Sequence, residues 1–233
     1  MHCVMLYGLG RASIIIVGNH MLKIHHLGMS RSDRSIWLAE ELGLKYELVT
    51  HTRNPDTFRS PQSLWDVSPM GKAPVIEDKG RTIPESGAIV EYLLMTYGEG
   101  RLRPSVDSDD YIDYLHWMHA AESTLMTPIF INMLNVMTAA NAPGLSAFCD
   151  GEFKTVFTYM NTILGGRDYI AGEFSGADIM VAFPLMMLES PLFAQPGEAS
   201  GKAFVDYPAI QAYLNRLRAR PAWLRAEAIF AAK

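Results

Sequence analysis

The sequence predicts an α/β domain followed by an all-helical domain. Up to residue 97, short apolar runs typical of strands alternate with apolar residues at helical spacing, in the order βαβ and then ββα. Beyond residue 108 the apolar residues recur only at helical spacing. A stretch rich in glycine, proline and serine between the two patterns indicates a linker. The predicted organisation is an N-terminal extension (1–20), an α/β domain (21–99), a linker (100–108) and a helical domain (109–233).

The composition excludes several classes of function. The chain has 233 residues, of which 49% are apolar and 19% charged, so it can bury a sizeable core and is not expected to be disordered. Its net charge of −5 offers no basic surface to nucleic acid or to an anionic membrane. The two cysteines, Cys3 and Cys149, have neither CxxC nor metal-ligand spacing. No disulfide framework and no metal site are therefore predicted, and a reducing cytoplasmic location is expected.

The first twenty residues differ in pattern from the rest. The apolar run Ser13 to Gly18 is too short to span a bilayer, and no clear small-residue cleavage site follows it. Met21 begins the first well-patterned segment. We interpret residues 1–20 as an upstream translational extension or a weakly ordered tail, and a membrane-directing leader is the less favoured alternative.

The α/β half opens with a strand, a helix and a second strand. Residues 22–27 have strand character, and residues 33–44 place apolar side chains at helical spacing with Gly43 near the end. Residues 46–49 form the next predicted strand. A strand, helix and strand in this order predict a right-handed parallel crossover.

The second part of this half predicts a hairpin and a helix. Residues 50–70 are rich in turn formers, with a short helix expected around Leu64. Two short strands, at 73–78 and 81–84, flank a Lys-Gly turn. The helix expected from Ser86 to about Tyr97 completes the unit.

The second half contains only helical patterns. Helices are predicted at 111–139, 148–164, 179–188, 210–217 and 222–231. Before one of them, Ser175 stands at an N-cap position and Asp178 follows three residues later, so the acid can reach back to the N–H of the cap. We assign this capping box a folding role, worth about 1 kcal/mol for the cap alone.

Two short stretches suggest a site for a small anionic peptide. If the Ala73-Pro74 bond is cis, the backbone of Ala73 is left free to pair with an extended ligand as an added strand would. Glu85 and Ser86 precede a helix, whose first N–H groups can receive a carboxylate. Each feature by itself is also compatible with an ordinary strand-edge proline or an ordinary serine at a helix start.

The motifs together resemble those of the cytosolic glutathione transferase family. The matching segments are Ser30-Arg31-Ser32-Asp33-Arg34, Trp37 to Gly43, Ser68-Pro69-Met70-Gly71-Lys72-Ala73-Pro74-Val75, Pro84-Glu85-Ser86 and the capping box before residue 179. They follow one another in order between residues 21 and about 230. The chain is most similar to the bacterial and fungal group that includes yeast glutathione transferase one. The resemblance implies a thioredoxin-like domain, a helical bundle and a homodimer.

The resemblance also implies which residues hold glutathione. Ala73 and Pro74 match the cis-proline site that pairs with the cysteinyl backbone. Glu85 and Ser86 match the pair that holds the γ-glutamyl end, and Lys72 matches a residue near the glycyl carboxylate. Ser30 and these residues are expected to line one common hollow.

By the same resemblance, Ser30 is the expected catalytic residue. A free thiol has a pKa of about 8.5, so little of it is thiolate at neutral pH. A hydroxyl that donates to sulfur at a helix N-terminus, with Arg31 and Arg34 nearby, favours the charged form. The alternatives are that Ser30 is a loop residue with Ser32 as the true cap, and that His26 assists. For Arg34, a structural pairing with a carboxylate is favoured over catalysis.

The resemblance implies conjugation of the glutathione thiolate to small apolar electrophiles, with peroxidase activity as a secondary expectation. Glutathione is the co-substrate, and no bound cofactor is expected. The second substrate should lie between the domains, where the methionine-rich helix from residue 111 offers an adaptable apolar surface. The alternatives are a non-catalytic binding or interaction module, and a glutathione-dependent isomerase or dehalogenase.

Overall fold

The computed structural model describes residues 21–138, 140, 142–189 and 203–231. The interpretation of residues 1–20 therefore lies outside the described residues. Within the described residues, no helix is both long and apolar enough to cross a membrane.

A four-stranded mixed sheet forms the first domain. Its strands are β1 (Leu22–Leu27), β2 (Tyr46–His51), β3 (Val75–Asp78) and β4 (Arg81–Pro84), arranged in the order β2-β1-β3-β4. β1 pairs with β2 in parallel, whereas β3 pairs antiparallel with both β1 and β4. The predicted parallel crossover and the predicted hairpin are both confirmed. β3 starts two residues later than predicted because Pro74, which has no N–H, precedes it.

Three helices belong to this domain: α1 (Asp33–Leu42), α2 (Gln62–Trp65) and α3 (Ser86–Tyr97). α1 ends at Leu42, two residues before the predicted end, because Gly43 takes a left-handed conformation (φ 68°) and its N–H bonds back to carbonyls of the last turn. α3 has the bounds predicted from the sequence.

Helices are the main elements of the second domain in the residues described, and an isolated β-bridge joins Tyr169 to Gly172 between two of them. Its helices are α4 (Asp110–Ala120), α5 (Met126–Met137), α6 (Pro143–Leu164), α7 (Gly176–Glu189), α8 (Pro208–Arg218) and α9 (Pro221–Ala231). The single helix predicted from residue 111 to 139 is wrong in one respect: a π-helical turn, Ala121–Leu125, separates α4 from α5. The apolar periodicity continues through this turn, so the sequence pattern cannot reveal it. Such turns occur frequently at functional sites.

The predicted capping box is present at the start of α7. The N–H of Ser175 donates to Asp178 Oδ2 at 2.8 Å, and the hydroxyl of Ser175 accepts the N–H of Ala177 at 3.3 Å. The box also extends further than predicted. The other oxygen of Asp178 accepts the N–H of Ile170 and the hydroxyl of Tyr213, at 3.0 and 2.8 Å. Asp178 therefore joins α7 to α8 as well as capping α7.

The last helix fastens the two domains together. α9 packs against α1 of the α/β domain. Arg220, just before α9, pairs with Glu41 at 2.6 Å, and Trp223 meets the ring of Trp37 edge-on at 4.9 Å between centroids. One surface of α1 is thus buried against α9, which is distant in sequence. This contact forms part of the interface between the two domains.

Candidate functional site

A cleft of about 590 Å³ lies between the two domains. Loops after β1 and before β3 line one side of it, and α5, α7 and α9 line the other. Ser30, Arg31 and Asp33 stand at its base, where α1 begins.

Some of the predicted site residues line this cleft and others do not. Ser30, Lys72 and Ala73 line it, and the Ala73-Pro74 bond is cis. Pro74, Glu85 and Ser86 are not among the lining residues, so the expectation of one common hollow is met only in part. Ser86 is 2% exposed. Because α3 begins immediately after β4, and Pro84 pairs with Val75, Ser86 nevertheless lies at the same end of the hairpin as Ala73.

The backbone around these residues has two unusual conformations. Glu85, at the N-cap position of α3, has a φ of 76° and a ψ of 127°, which residues other than glycine seldom adopt. Such conformations are enriched at ligand sites. Gly71, with a φ of 55°, precedes Lys72, and a Cβ there would lie 2.2 Å from the ring of Trp65. The backbone conformation that leads into Lys72 therefore requires glycine at position 71.

A cluster of hydroxyls and a histidine lies at the base of the cleft. Ser30 Oγ lies 2.7 Å from Ser32 Oγ, and Ser32 Oγ lies 2.9 Å from His26 Nδ1. Ser32 does occupy the N-cap position of α1, as the alternative interpretation supposed, but its hydroxyl makes no capping bond. It accepts the N–H of Leu27 at 3.2 Å instead. Its side chain thus ties the end of β1 to the start of α1.

Asp33 is an acidic residue beside this cluster. Its Oδ1 is buried without a hydrogen-bond partner and lies 3.6 Å from His26 Nδ1. Burial raises the pKa of Asp33 to about 7, against the opposing effect of the neighbouring Arg34. Burial, with a smaller contribution from His51, lowers the pKa of His26. His26 is therefore neutral at neutral pH, and Asp33 changes charge there.

Two arginines converge on one carboxylate beneath the cleft. Arg31 and Arg34 both pair with Glu122, which lies in the π-helical turn. Arg34 is 1% exposed and also donates to the carbonyl of Met180 at 2.6 Å. The favoured interpretation of Arg34, a structural pairing with a carboxylate, agrees with this geometry. The sequence offered no signal for Glu122 as the partner, because 88 residues separate it from Arg34.

The N-terminal domain profile of glutathione S-transferases matches residues 25–101, and the C-terminal domain profile matches residues 145–221. Glutathione S-transferase 1 of Saccharomyces cerevisiae is 30% identical over 221 residues, which are 84% of this chain and 90% of the yeast protein. The chain belongs to the glutathione S-transferase family.

Solved structures of other glutathione S-transferases have the same fold. One from Actinobacillus pleuropneumoniae superposes with a TM-score of 0.77 at 30% identity, covering 90% of this chain and 93% of its own. A sphingomonad glutathione S-transferase, solved in complex with glutathione, has a TM-score of 0.72 at 22% identity and covers 91% and 100%. The predicted thioredoxin-like domain followed by a helical domain is therefore confirmed.

The far wall of the cleft in this glutathione S-transferase is apolar. α5 contributes Met126, Phe130 and Met133, as the methionine-rich pattern predicted. α7 contributes Phe183 and Met186, which we did not single out from the sequence although their spacing places them on one face of a helix. A flexible, polarisable surface of this kind adapts to apolar ligands of different shape.

Two further residues line the cleft although no sequence motif marks them as site residues. Arg53 donates to the carbonyls of Gly28 and Met29, at 3.1 and 3.0 Å, and its guanidinium lies 4.8 Å from the ring centroid of Phe58. It thereby holds the loop after β1 against the loop after β2. Trp223 reaches the cleft from α9. Only the fold brings these residues to the site, because their sequence neighbours show no motif.

Among the residues described, no group of histidine, cysteine, aspartate and glutamate side chains is arranged to hold a metal ion. Cys149 is a free, buried cysteine. Burial raises the pKa of its thiol, and the neighbouring Asp150 adds to that effect, so the thiolate form is disfavoured.

Proposed function

We propose that this protein conjugates the thiolate of glutathione to small apolar electrophiles. The observation that carries the proposal is the cleft itself, which places a hydroxyl and two guanidiniums at the base and an apolar wall opposite. Family membership supports it, and a structural relative binds glutathione. Peroxidase activity is a secondary part of the proposal.

Glutathione is proposed to lie along the end of the hairpin. The backbone of Ala73, before Pro74, pairs with the cysteinyl residue, and Lys72, which is exposed at the rim, approaches the glycyl carboxylate. Ser86 and the first N–H groups of α3 receive the γ-glutamyl carboxylate, while Glu85 faces its ammonium group. The extended ligand would then present its sulfur to Ser30.

Ser30 is proposed as the catalytic residue. Its hydroxyl donates a hydrogen bond to the sulfur, which lowers the thiol pKa as the thiol proton leaves to solvent. The guanidiniums of Arg31 and Arg34 exceed the charge of Glu122 and add a favourable field. The thiolate then forms a carbon–sulfur bond, and the leaving group departs with the electron pair of the bond that breaks.

Replacing Ser30 by alanine is expected to lower kcat/KM for conjugation by about 10²-fold, the effect typical of losing one preorganised donor. The matched control is Ser63→Ala, because Ser63 also bonds a histidine, His51 at 2.9 Å, but belongs to α2 outside the cleft wall. The assay is turnover of a panel of apolar electrophiles, together with retention on immobilised glutathione. Unchanged turnover in Ser30→Ala would contradict the role of Ser30. Retention of the wild type without any turnover would favour a binding module.

The resemblance also leads us to propose a cytoplasmic homodimer whose domains divide at residues 100–108. Large apolar side chains of the helices near that division are open to solvent: Met95 on α3 and Ile112 on α4 are each 70% exposed. Burying them against a second copy would stabilise the dimer by about 25 cal/mol for each Å² of apolar surface removed from water. Sedimentation equilibrium should give twice the mass of one chain, and a mass of one chain would exclude the dimer.

A further inference from the structure

The hydroxyl of Ser32 has more possible partners than it has protons. Its Oγ lies 2.7 Å from Ser30 Oγ and 2.9 Å from His26 Nδ1, and it accepts the N–H of Leu27 at 3.2 Å. Ser32 is fully buried, so water does not compete for these contacts. A serine hydroxyl has one proton to donate. The direction of that proton decides the direction of every hydrogen bond in the cluster.

The Ser32 proton has three acceptors in reach: Ser30 Oγ at 2.7 Å, His26 Nδ1 at 2.9 Å and, at the longer distance of 3.4 Å, the carbonyl of Leu27. The two shorter contacts give two arrangements of protons, and these differ at Ser30. If His26 Nδ1 carries no proton, Ser32 donates to it and Ser30 can donate to Ser32. The Ser30 proton is then directed at Ser32 and away from the cleft. If His26 Nδ1 carries the proton, it donates to Ser32, and Ser32 donates to Ser30. Ser30, which also accepts the N–H of Ser32 at 3.2 Å, then has only its own proton left to direct into the cleft.

The surroundings of His26 select between the two arrangements. Asp33 Oδ1, buried without a hydrogen-bond partner, lies 3.6 Å from Nδ1. When Asp33 is ionised, its carboxylate stabilises an N–H on this nitrogen and disfavours a lone pair there. Because burial raises the pKa of Asp33 to about 7, this selection operates above that pH. The other titratable group that acts on His26 is His51, which opposes a positive charge on it. His26 is thus neutral, and its tautomer rather than its charge sets the cluster.

We propose that Ser32 and His26 are positioning residues: with the charge of ionised Asp33 beside it, the Nδ1–H of His26 donates to Ser32, Ser32 donates to Ser30, and Ser30 is left to donate to the sulfur of glutathione. The proposal rests on the proposed function of Ser30. No proton is transferred along the chain, because the thiol proton leaves to solvent and each hydroxyl keeps its own. The chain acts by fixing direction, and successive hydrogen bonds polarise one another.

The direct test is Ser32→Ala with Ser30 intact. Without Ser32, nothing fixes the direction of the Ser30 proton, and the pKa of the bound thiol is expected to rise by about one unit, which lowers kcat about tenfold below that pKa. The readouts are the ultraviolet absorbance of the thiolate in the glutathione complex as a function of pH, and the pH profile of kcat. KM for glutathione should change less than about twofold, because the tripeptide contacts are retained.

A second pair of variants keeps the test valid if Ser32→Ala folds poorly. His26→Asn retains a donor near the position of Nδ1 and should keep a thiol pKa near that of the wild type, whereas His26→Leu should raise it as Ser32→Ala does. Ser63→Ala is again the control, since it removes a serine bonded to a different histidine.

The outcomes separate this proposal from the one it rests on. A raised thiol pKa in Ser30→Ala, Ser32→Ala and His26→Leu, with wild-type values in Ser63→Ala, supports both. A raised value in Ser30→Ala alone overturns the positioning role and leaves the function of Ser30 intact. A wild-type thiol pKa and turnover in Ser30→Ala overturn both.

Discussion

Replacing Glu122 by alanine is expected to lower the free energy of unfolding by about 3 kcal/mol, the lower end of the loss typical of breaking a buried ion pair, because Arg34 is buried while the Glu122 side chain is 28% exposed. Arg34 is 1% exposed and, among the described residues, would keep its charge with the carbonyl of Met180 as its remaining hydrogen-bond acceptor and the ring of Phe183 5.0 Å from its guanidinium, since its Nε has no hydrogen-bond partner. Arg31 would lose the same carboxylate. The cost arises from the uncompensated guanidinium more than from the strength of the pair itself.

The pH dependence of stability should identify this cluster. Burial alone would raise the pKa of Glu122, but Arg34 and Arg31 outweigh burial, and the pKa lies below its ordinary value of 4.5. A carboxyl with a lowered pKa contributes stability that is present above its unfolded pKa and is lost as pH falls through the folded value. The wild type should therefore lose stability below about pH 4.5 through this group, and Glu122→Ala should lack that component.

Denaturant unfolding at several pH values measures both effects. The matched control is Glu47→Ala, which removes a carboxylate 4.0 Å from Lys23 in a surface pair whose side chains are 42% and 51% exposed. Such pairs contribute about 0–1 kcal/mol. If Glu122→Ala cost no more than this control, the structural role assigned to the Arg31–Glu122–Arg34 cluster would be wrong.

Replacing Asp178 by alanine is expected to lower the free energy of unfolding by about 3–4 kcal/mol. The side chain accepts hydrogen bonds from the N–H groups of Ile170 and Ser175 and from the hydroxyls of Ser175 and Tyr213. Asp178 is 0% exposed, so its donors would be left unpaired in the interior. Each lost bond contributes about 1 kcal/mol, and unsatisfied buried donors add to the cost.

Thermal or denaturant unfolding of Asp178→Ala measures this loss, and Ser175→Ala separates the cap from the rest. Removing the cap hydroxyl alone should cost about 1 kcal/mol. Asp168→Ala is the surface control, because that side chain is 74% exposed and pairs with Arg216 at 2.9 Å. Equal losses in Ser175→Ala and Asp178→Ala would show that the contacts to Ile170 and Tyr213 add nothing.

Local features of the fold were predictable because nearby residues determine them. The end of α1 depends on Gly43 adopting positive φ, and the start of α7 depends on Ser175 and Asp178, which are three residues apart. The strands and helices of the α/β domain follow from apolar patterns over four to twelve residues. The assignment of Ser30, Lys72, Ala73, Pro74, Glu85 and Ser86 to a site came from family resemblance, and it remains a prediction.

By itself, therefore, the sequence determined the order and type of the elements, the break between the sheet-containing and helical domains, and the short motifs at their ends. Only the tertiary structure decided which sequence-distant groups meet at the cleft. Glu122 reaches Arg34 across 88 residues, and Arg220 reaches Glu41 across 179. It also decided that the hydroxyl of Ser32 bonds His26 rather than capping α1. Periodicity and capping are properties of neighbouring residues, whereas burial and charge pairing depend on how distant segments pack, which no local pattern encodes.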